Sequence, residues 1–126
     1  MFQNTVHGEC IYGNLLNGEW VESESGKHLE IRSPVDGSLI GKIQAMTKKE
    51  VDEAIQDTKM HARTWAETPI YERAEVFYRA ANLLEERAQE IAEILTMEVA
   101  KEKKSALSEV TRSADLLRYT ADMGKS

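Results

Sequence analysis

Cysteine is nearly absent: Cys10 is the only one in 126 residues, so no internal disulfide can staple the fold. Cationic residues are outnumbered, with 16 Lys and Arg against 22 Asp and Glu and a net charge of −6. That balance argues against the clustered basic surface from which phosphate backbones and anionic lipids draw affinity, so neither nucleic acid nor a membrane is expected as a partner. No apolar run approaches the roughly 18 to 20 residues that span a bilayer. Residues 1–9 lack the basic patch and apolar stretch of a secretory signal, and a cytoplasmic protein is the expectation. Leu, Ile, Val and Phe together number only 27, close to the level of about 20% below which a charged chain buries too little to fold. The core is expected to be thin. Neither G-x-G-x-x-G nor G-x-x-x-x-G-K occurs, which removes the usual glycine cradle for a dinucleotide or nucleotide phosphate.

Glycine and proline are also unevenly spread. Six of the seven glycines fall within the first 41 residues, and from 70 to 123 there is neither glycine nor proline. This pattern predicts strands and turns over 1–46 and helices over 47–126, an α+β arrangement with a short antiparallel β-hairpin region followed by three to four helices. Residues 14–21 and 28–33, around the polar stretch 22–27, read as a hairpin, although Asn17-Gly18 can also close a tight turn of its own. Pro34-Val35-Asp36-Gly37 reads as a turn and 39–45 as a third strand. Thr47-Lys48-Lys49-Glu50 is a capping box that starts a helix, with Val51, Ala54, Ile55, Thr58, Ala62 and Trp65 on one face. That helix should stop before Pro69, and Thr68-Pro69 should start the next with threonine as cap and proline at the first helical position. Ile70, Ala74, Phe77, Ala81, Leu84, Ala88, Ile91 and Leu95 then form a one-sided stripe, with breaks expected near 85–87 and 101–104. Ser105 is the expected cap of a last helix carrying Leu107, Val110, Ala114, Leu117 and Ala121, with Gly124 as its stop.

Little chemistry is self-contained. His7, His28 and His61 are scattered, and His7-Gly8-Glu9-Cys10 has no second pair to complete a tetrahedral metal site. Cys10, in what reads as a loose N-terminus, has only His7 near it in sequence and is expected to be an ordinary thiol. Glu98 and Glu109 occupy ordinary solvent-facing helix positions. Arg112 shares a face with Ser108, Asp115 and Tyr119, away from the apolar line. Spacing alone makes it a solvated arginine paired with Asp115, although its planar fork of donors also suits a phosphate or carboxylate.

Several separated motifs nevertheless carry a resemblance: Asn17-Gly18-Glu19-Trp20, Pro34-Val35-Asp36-Gly37, Trp65, Glu72-Arg73-Ala74 and the run from Glu98 through Arg112. In order and spacing the chain resembles the N-terminal part of an aldehyde dehydrogenase. Within that superfamily it is most similar to the NADP-dependent, non-phosphorylating glyceraldehyde-3-phosphate dehydrogenases, which share the form Glu98-Val99-Ala100-Lys101 where most relatives have glycine in the third place. The resemblance implies a parent with an α/β fold, a homotetramer, and oxidation of glyceraldehyde-3-phosphate to 3-phosphoglycerate with NADP through a cysteine thioester. It assigns none of the catalytic or cofactor-binding residues to this chain, and Cys10 matches no nucleophile, so the 126 residues alone are expected to be inactive. Arg112 aligns with an arginine that helps hold the substrate phosphate. A different class of reading, an independent helical interaction module, rests on the regular stripe over 70–95; the alanines in that stripe suit packing onto another element better than a self-sufficient coiled coil.

Overall fold

The structure, a computed structural model, describes residues 3–6 and 9–125, with side chains from Ile11 onward. Two compact units divide the chain, Met1–Thr64 and Trp65–Ser126. Small sheets are followed by four helices, the α+β arrangement that the glycine distribution predicts.

The first unit opens with β1 (Gln3–Val6) and β2 (Glu9–Tyr12), continues through β3 (Asn14–Leu16), β4 (Glu19–Val21), β5 (His28–Arg32) and β6 (Leu39–Gln44), and enters α1 (Lys48–Glu67). β3 and β4 form their own two-stranded sheet, with Leu15 opposite Trp20. Asn17 and Gly18, at φ 49° and 78°, close it. Positive φ at both turn residues matches the right-handed twist of the flanking strands. The tight turn thus displaces the wider hairpin expected between 14–21 and 28–33. β5 turns instead on Pro34 to Gly37 and pairs antiparallel with β6, Leu29 facing Ile43. The Gly37 N–H donates to the Ser33 carbonyl at 2.9 Å, and the Asp36 carboxylate accepts from the Ser38 N–H at 3.0 Å.

The other sheet runs β1-β2-β6-β5 and is mixed. β2 lies parallel to β6, Ile11 beside Lys42, whereas purely antiparallel strands were expected. A parallel pair needs a long crossover, and the segment holding β3, β4 and β5 supplies it. The N-terminus expected to be loose contributes the β1/β2 pair. Cys10 stands on β2 with its side chain outside the described residues, as are His7 and Gly8.

The capping box over 47–50 forms as the sequence predicts. Glu50 N–H donates to Thr47 Oγ1 at 3.2 Å, and Thr47 N–H donates to Glu50 Oε2 at 2.7 Å. No residue of α1 is buried, and Val51, Ile55 and Met60 on it are exposed.

The second unit contains α2 (Ile70–Glu86), α3 (Ala88–Val99) and α4 (Lys103–Gly124). Both expected breaks are present. Arg87 interrupts at φ −105°, ψ 12°, and Ala100 turns left-handed at φ 56°, ψ 29°. Helix starts differ by a few residues from the expectation. Pro69, at ψ 139°, is itself the cap residue of α2 rather than its first helical residue, since an extended ψ after the ring-fixed φ ends the preceding chain direction. Glu102, not Ser105, caps α4, its carboxylate accepting from Lys104 N–H and Ser105 N–H at 3.3 and 3.1 Å. A longer acidic side chain reaches the same free amides and also suits the positive end of the helix. Gly124 is the last helical residue rather than a left-handed stop, and a methyl group there would sit 3.7 Å from the Ile70 side chain.

α4 packs along both α2 and α3, and its contact line is mostly alanine. Ala74, Ala81, Ala88, Ala92, Ala106, Val110, Ala114 and Ala121 are buried, while no large side chain is fully enclosed among the described residues. Small residues let helix axes approach closely, so ridges and backbones supply the packing that bulky side chains would otherwise give. Leu84, Ile91, Leu95 and Leu107 close over the Ala88, Ala92, Ala106 and Val110 cluster. Polar crosslinks finish the seam. Arg118 on α4 donates to Glu85 at 2.7 and 2.6 Å and to Asn82 at 2.9 Å on α2. Tyr78 on α2 donates to Asp122 and accepts from Lys125, whose Nζ also lies 4.7 Å from the centre of the Tyr78 ring.

Candidate functional site

Because Ala106, Val110, Ala114 and Ala121 hold α4 against its neighbours, helical periodicity turns Ser105, Ser108, Arg112, Leu116 and Tyr119 to the opposite, outward face. There they line a shallow depression of about 620 Å³, with Glu109, Ser113 and Asp115 along its sides. Ala100 and the Glu102 cap set the direction in which this helix leaves α3, and so fix where the face points.

The charges around the depression are not equally committed. Glu109 is paired with Lys101. Asp115 lies 3.8 Å from Arg118 Nη1, not on Arg112 as the spacing suggested. The Arg118 guanidinium is held within reach of it by bonds to Glu85 and Asn82 across the helix seam. Hydrogen bonding to Glu85, with smaller contributions from the charges of Glu85 and Asp115, holds Arg118 above its ordinary pKa. Arg112 is exposed and, among the described residues, has neither an ion pair nor a side-chain hydrogen bond. It is a cation left available for a ligand, able to offer two parallel N–H donors to an oxyanion.

A second charged centre lies in the first unit and has a different character. Besides the cap at Thr47, the Glu50 carboxylate accepts from the Glu24 N–H at 2.8 Å and from the Ser23 hydroxyl at 2.9 Å. These donors, the Thr47 amide first and the Glu24 amide next, lower its pKa from 4.5 to about 2. A carboxylate with its oxygens so fully engaged is a tether, not a base. The capping box was legible in sequence, but the link to residues 23 and 24 was not, since nothing local marks a contact 26 residues away.

The remaining sequence candidates do not converge. His28 lies on β5, and His61 lies on α1 beside Asp57, its Nδ1 3.8 Å from that carboxylate. Glu98 is exposed in the last turn of α3. The glycine turn that cradles a dinucleotide phosphate at a helix start is not found among the described residues: Gly18, Gly26 and Gly37 take positive φ in connections between strands, and the N-terminal caps of α2, α3 and α4 are Pro69, Arg87 and Glu102.

Comparison with known proteins bears on this arrangement. A model described as "Aldehyde dehydrogenase family" matches residues 20–126. A maize (Zea mays) NADP-dependent glyceraldehyde-3-phosphate dehydrogenase is 41% identical over 124 residues, covering 98% of this chain and 25% of that protein. The enzyme of the same name from Streptococcus equinus is 36% identical over 113 residues, covering 90% and 23%. Among solved structures, the NADP-dependent glyceraldehyde-3-phosphate dehydrogenase of Bacillus halodurans C-125, complexed with NADP, superposes with a TM-score of 0.86 at 47% identity over 88% of this chain and 23% of that one. The chain therefore spans about a quarter of the length of the relatives it matches.

Proposed function

Since the chain belongs to the aldehyde dehydrogenase family, as an N-terminal segment of it, we propose that it serves an NADP-dependent, non-phosphorylating oxidation of glyceraldehyde-3-phosphate to 3-phosphoglycerate. In that reaction these residues bind substrate and leave the chemistry to sequence they do not contain. The observation that carries this reading is Arg112: an uncommitted guanidinium in a surface depression whose acidic neighbours, Glu109 and Asp115, already face Lys101 and Arg118. A phosphate monoester offers the oxyanion geometry that such a fork grips with two parallel bonds, and holding the phosphate fixes where the aldehyde end of a three-carbon substrate lies. Support for the phosphorylated substrate also comes from the relatives named above, whose names carry it.

No residue of this chain is assigned to the nicotinamide cofactor, and no step here passes through it. The reading extends to a cytoplasmic, homotetrameric parent with no nucleic-acid or membrane partner. The cytoplasmic and homotetrameric parts of it rest on the family resemblance alone; the acidic balance speaks against nucleic acid and anionic lipid, and among the described residues no helix is long and apolar enough to cross a membrane.

The test is Arg112→Ala in an enzyme that contains this segment. A lost charge-assisted pair is worth about 1.5 to 3 kcal/mol, so kcat/KM for the phosphorylated aldehyde should fall roughly 10- to 150-fold, mostly through KM, while an unphosphorylated aldehyde is little affected. Equal losses on both substrates would remove the assignment.

A further inference from the structure

The hydroxyl groups inside the helices show a regularity, and the two α4 serines that depart from it, Ser105 in the first turn and Ser108, both line the anion site. Thr58, Thr96, Thr111, Ser113 and Thr120 each donate to the carbonyl four residues back, or three in a shared bond for Thr111, at 2.8 to 3.2 Å. This back-bonding is the ordinary use of a hydroxyl inside a helix, because it satisfies the donor without a partner from elsewhere. Ser108 lies well inside α4, with Lys104 four residues behind it in the same helix. Yet among the described residues its hydroxyl donates to nothing, and it lines the same depression as Arg112. The two are four residues apart, hence neighbours on one face. Long helical side chains lean toward the helix N-terminus, so the reach of Arg112 is over the turn that carries Ser108.

We propose that Ser108 is a second ligand of the anion held by Arg112, its hydroxyl donating to a phosphate-monoester oxygen that the guanidinium does not occupy. The inference rests on the reading of Arg112 given above and adds a specificity-determining residue to it. The pair supplies one full positive charge and a neutral donor one helical turn away. A phosphate monoester, with three non-bridging oxygens, can use both at once through separate oxygens, whereas a carboxylate gripped bidentately by Arg112 must share an oxygen already bonded to the guanidinium. Ser108 therefore favours phosphate over carboxylate, and its contribution is smaller with a ligand that has only two oxygens.

The experiment uses the 126-residue chain labelled with ¹⁵N and titrated with inorganic phosphate, then with acetate, at constant ionic strength and pH 7. Signals of the Arg112 side-chain N–H and the Ser108 amide are followed. Saturable shifts at both positions are expected with phosphate. Ser108→Ala should weaken phosphate binding about 3- to 30-fold and acetate binding clearly less, and Ser108→Thr should retain phosphate binding. Thr120→Ala, which removes an exposed hydroxyl already bonded to the Leu116 carbonyl and lying outside the depression, serves as the control and should change nothing. Unaltered phosphate affinity in Ser108→Ala, with binding lost in Arg112→Gln, would overturn the role of Ser108 and leave Arg112 standing. Equal weakening by Thr120→Ala would also overturn it, as a general surface effect. No saturable phosphate shift in the unmodified chain, or binding insensitive to Arg112→Gln, would sink both readings together.

Discussion

Ala100 offers the sharpest quantitative test of the second unit. It sits between α3 and α4 at φ 56°, ψ 29°, a left-handed conformation held by a residue that carries a Cβ. For an L-residue this conformation costs roughly 1 to 2 kcal/mol, because Cβ crowds the following carbonyl oxygen, whereas glycine adopts it freely. Glycine also enlarges the freedom of the unfolded chain, which returns about 0.4 to 1 kcal/mol of the gain. Ala100→Gly should therefore stabilise by about 0.5 to 1 kcal/mol, an upward shift in melting midpoint of roughly 3 to 6 °C for a unit of this size. Urea and thermal unfolding followed by far-UV circular dichroism would measure it, with the urea slope unchanged. Ala92→Gly, inside α3 and buried, should move the midpoint the other way, since glycine costs about 1 kcal/mol in a helix interior even before its lost methyl contact. Should Ala100→Gly destabilise as Ala92→Gly does, residue 100 is not left-handed in solution, and the geometry that launches α4 has been misread.

Glu50 gives a pH dependence with a definite sign. Its folded pKa, about 2, lies below its ordinary 4.5, so its stabilisation is complete above about pH 4.5 and is lost as pH falls toward 2; Glu50→Gln should flatten the stability profile of the chain across that window, and an unchanged slope would refute the tether. Ala106, fully buried against α3, should tolerate no larger side chain: Ala106→Leu is expected to cost about 1 to 3 kcal/mol by forcing α4 outward, read as a lower urea midpoint. The chain alone should form no NADPH from glyceraldehyde-3-phosphate and NADP in a direct absorbance assay. It should also bind a hydrophobic dye and self-associate in sedimentation, because residues such as Ile55, Met60, Tyr71 and Leu83 are exposed; a sharply melting monomer that binds no dye would favour the independent-module reading.

Local signals carried far. The capping box at Thr47 and Glu50, the turn at Asn17-Gly18, the Pro34 to Gly37 turn and the two helix breaks all rest on interactions among residues a few positions apart, and each is present. The alanines of the 70–95 stripe and of α4 likewise identified the buried line, since a helix of period 3.6 places them together whatever it packs against. Arg112 was singled out from its place on a helix face and from a family resemblance; it does lie on that outward face, but Asp115 stands beside Arg118 and not beside it.

Partner choice between distant segments was decided only by the tertiary structure. The Pro34 to Gly37 turn favours β5 against β6, but nothing local told β2 to run parallel to β6, because no turn joins that pair and any strand edge can satisfy any other. The same holds for charge. Sequence spacing offered Asp115 to Arg112, but α4 lies against α2 so that Glu85 fixes Arg118 within reach of Asp115. The helix and its arginine are properties of the sequence; the freedom of that arginine to take a ligand arises from how two helices pack, because packing determines which charges are already neutralised.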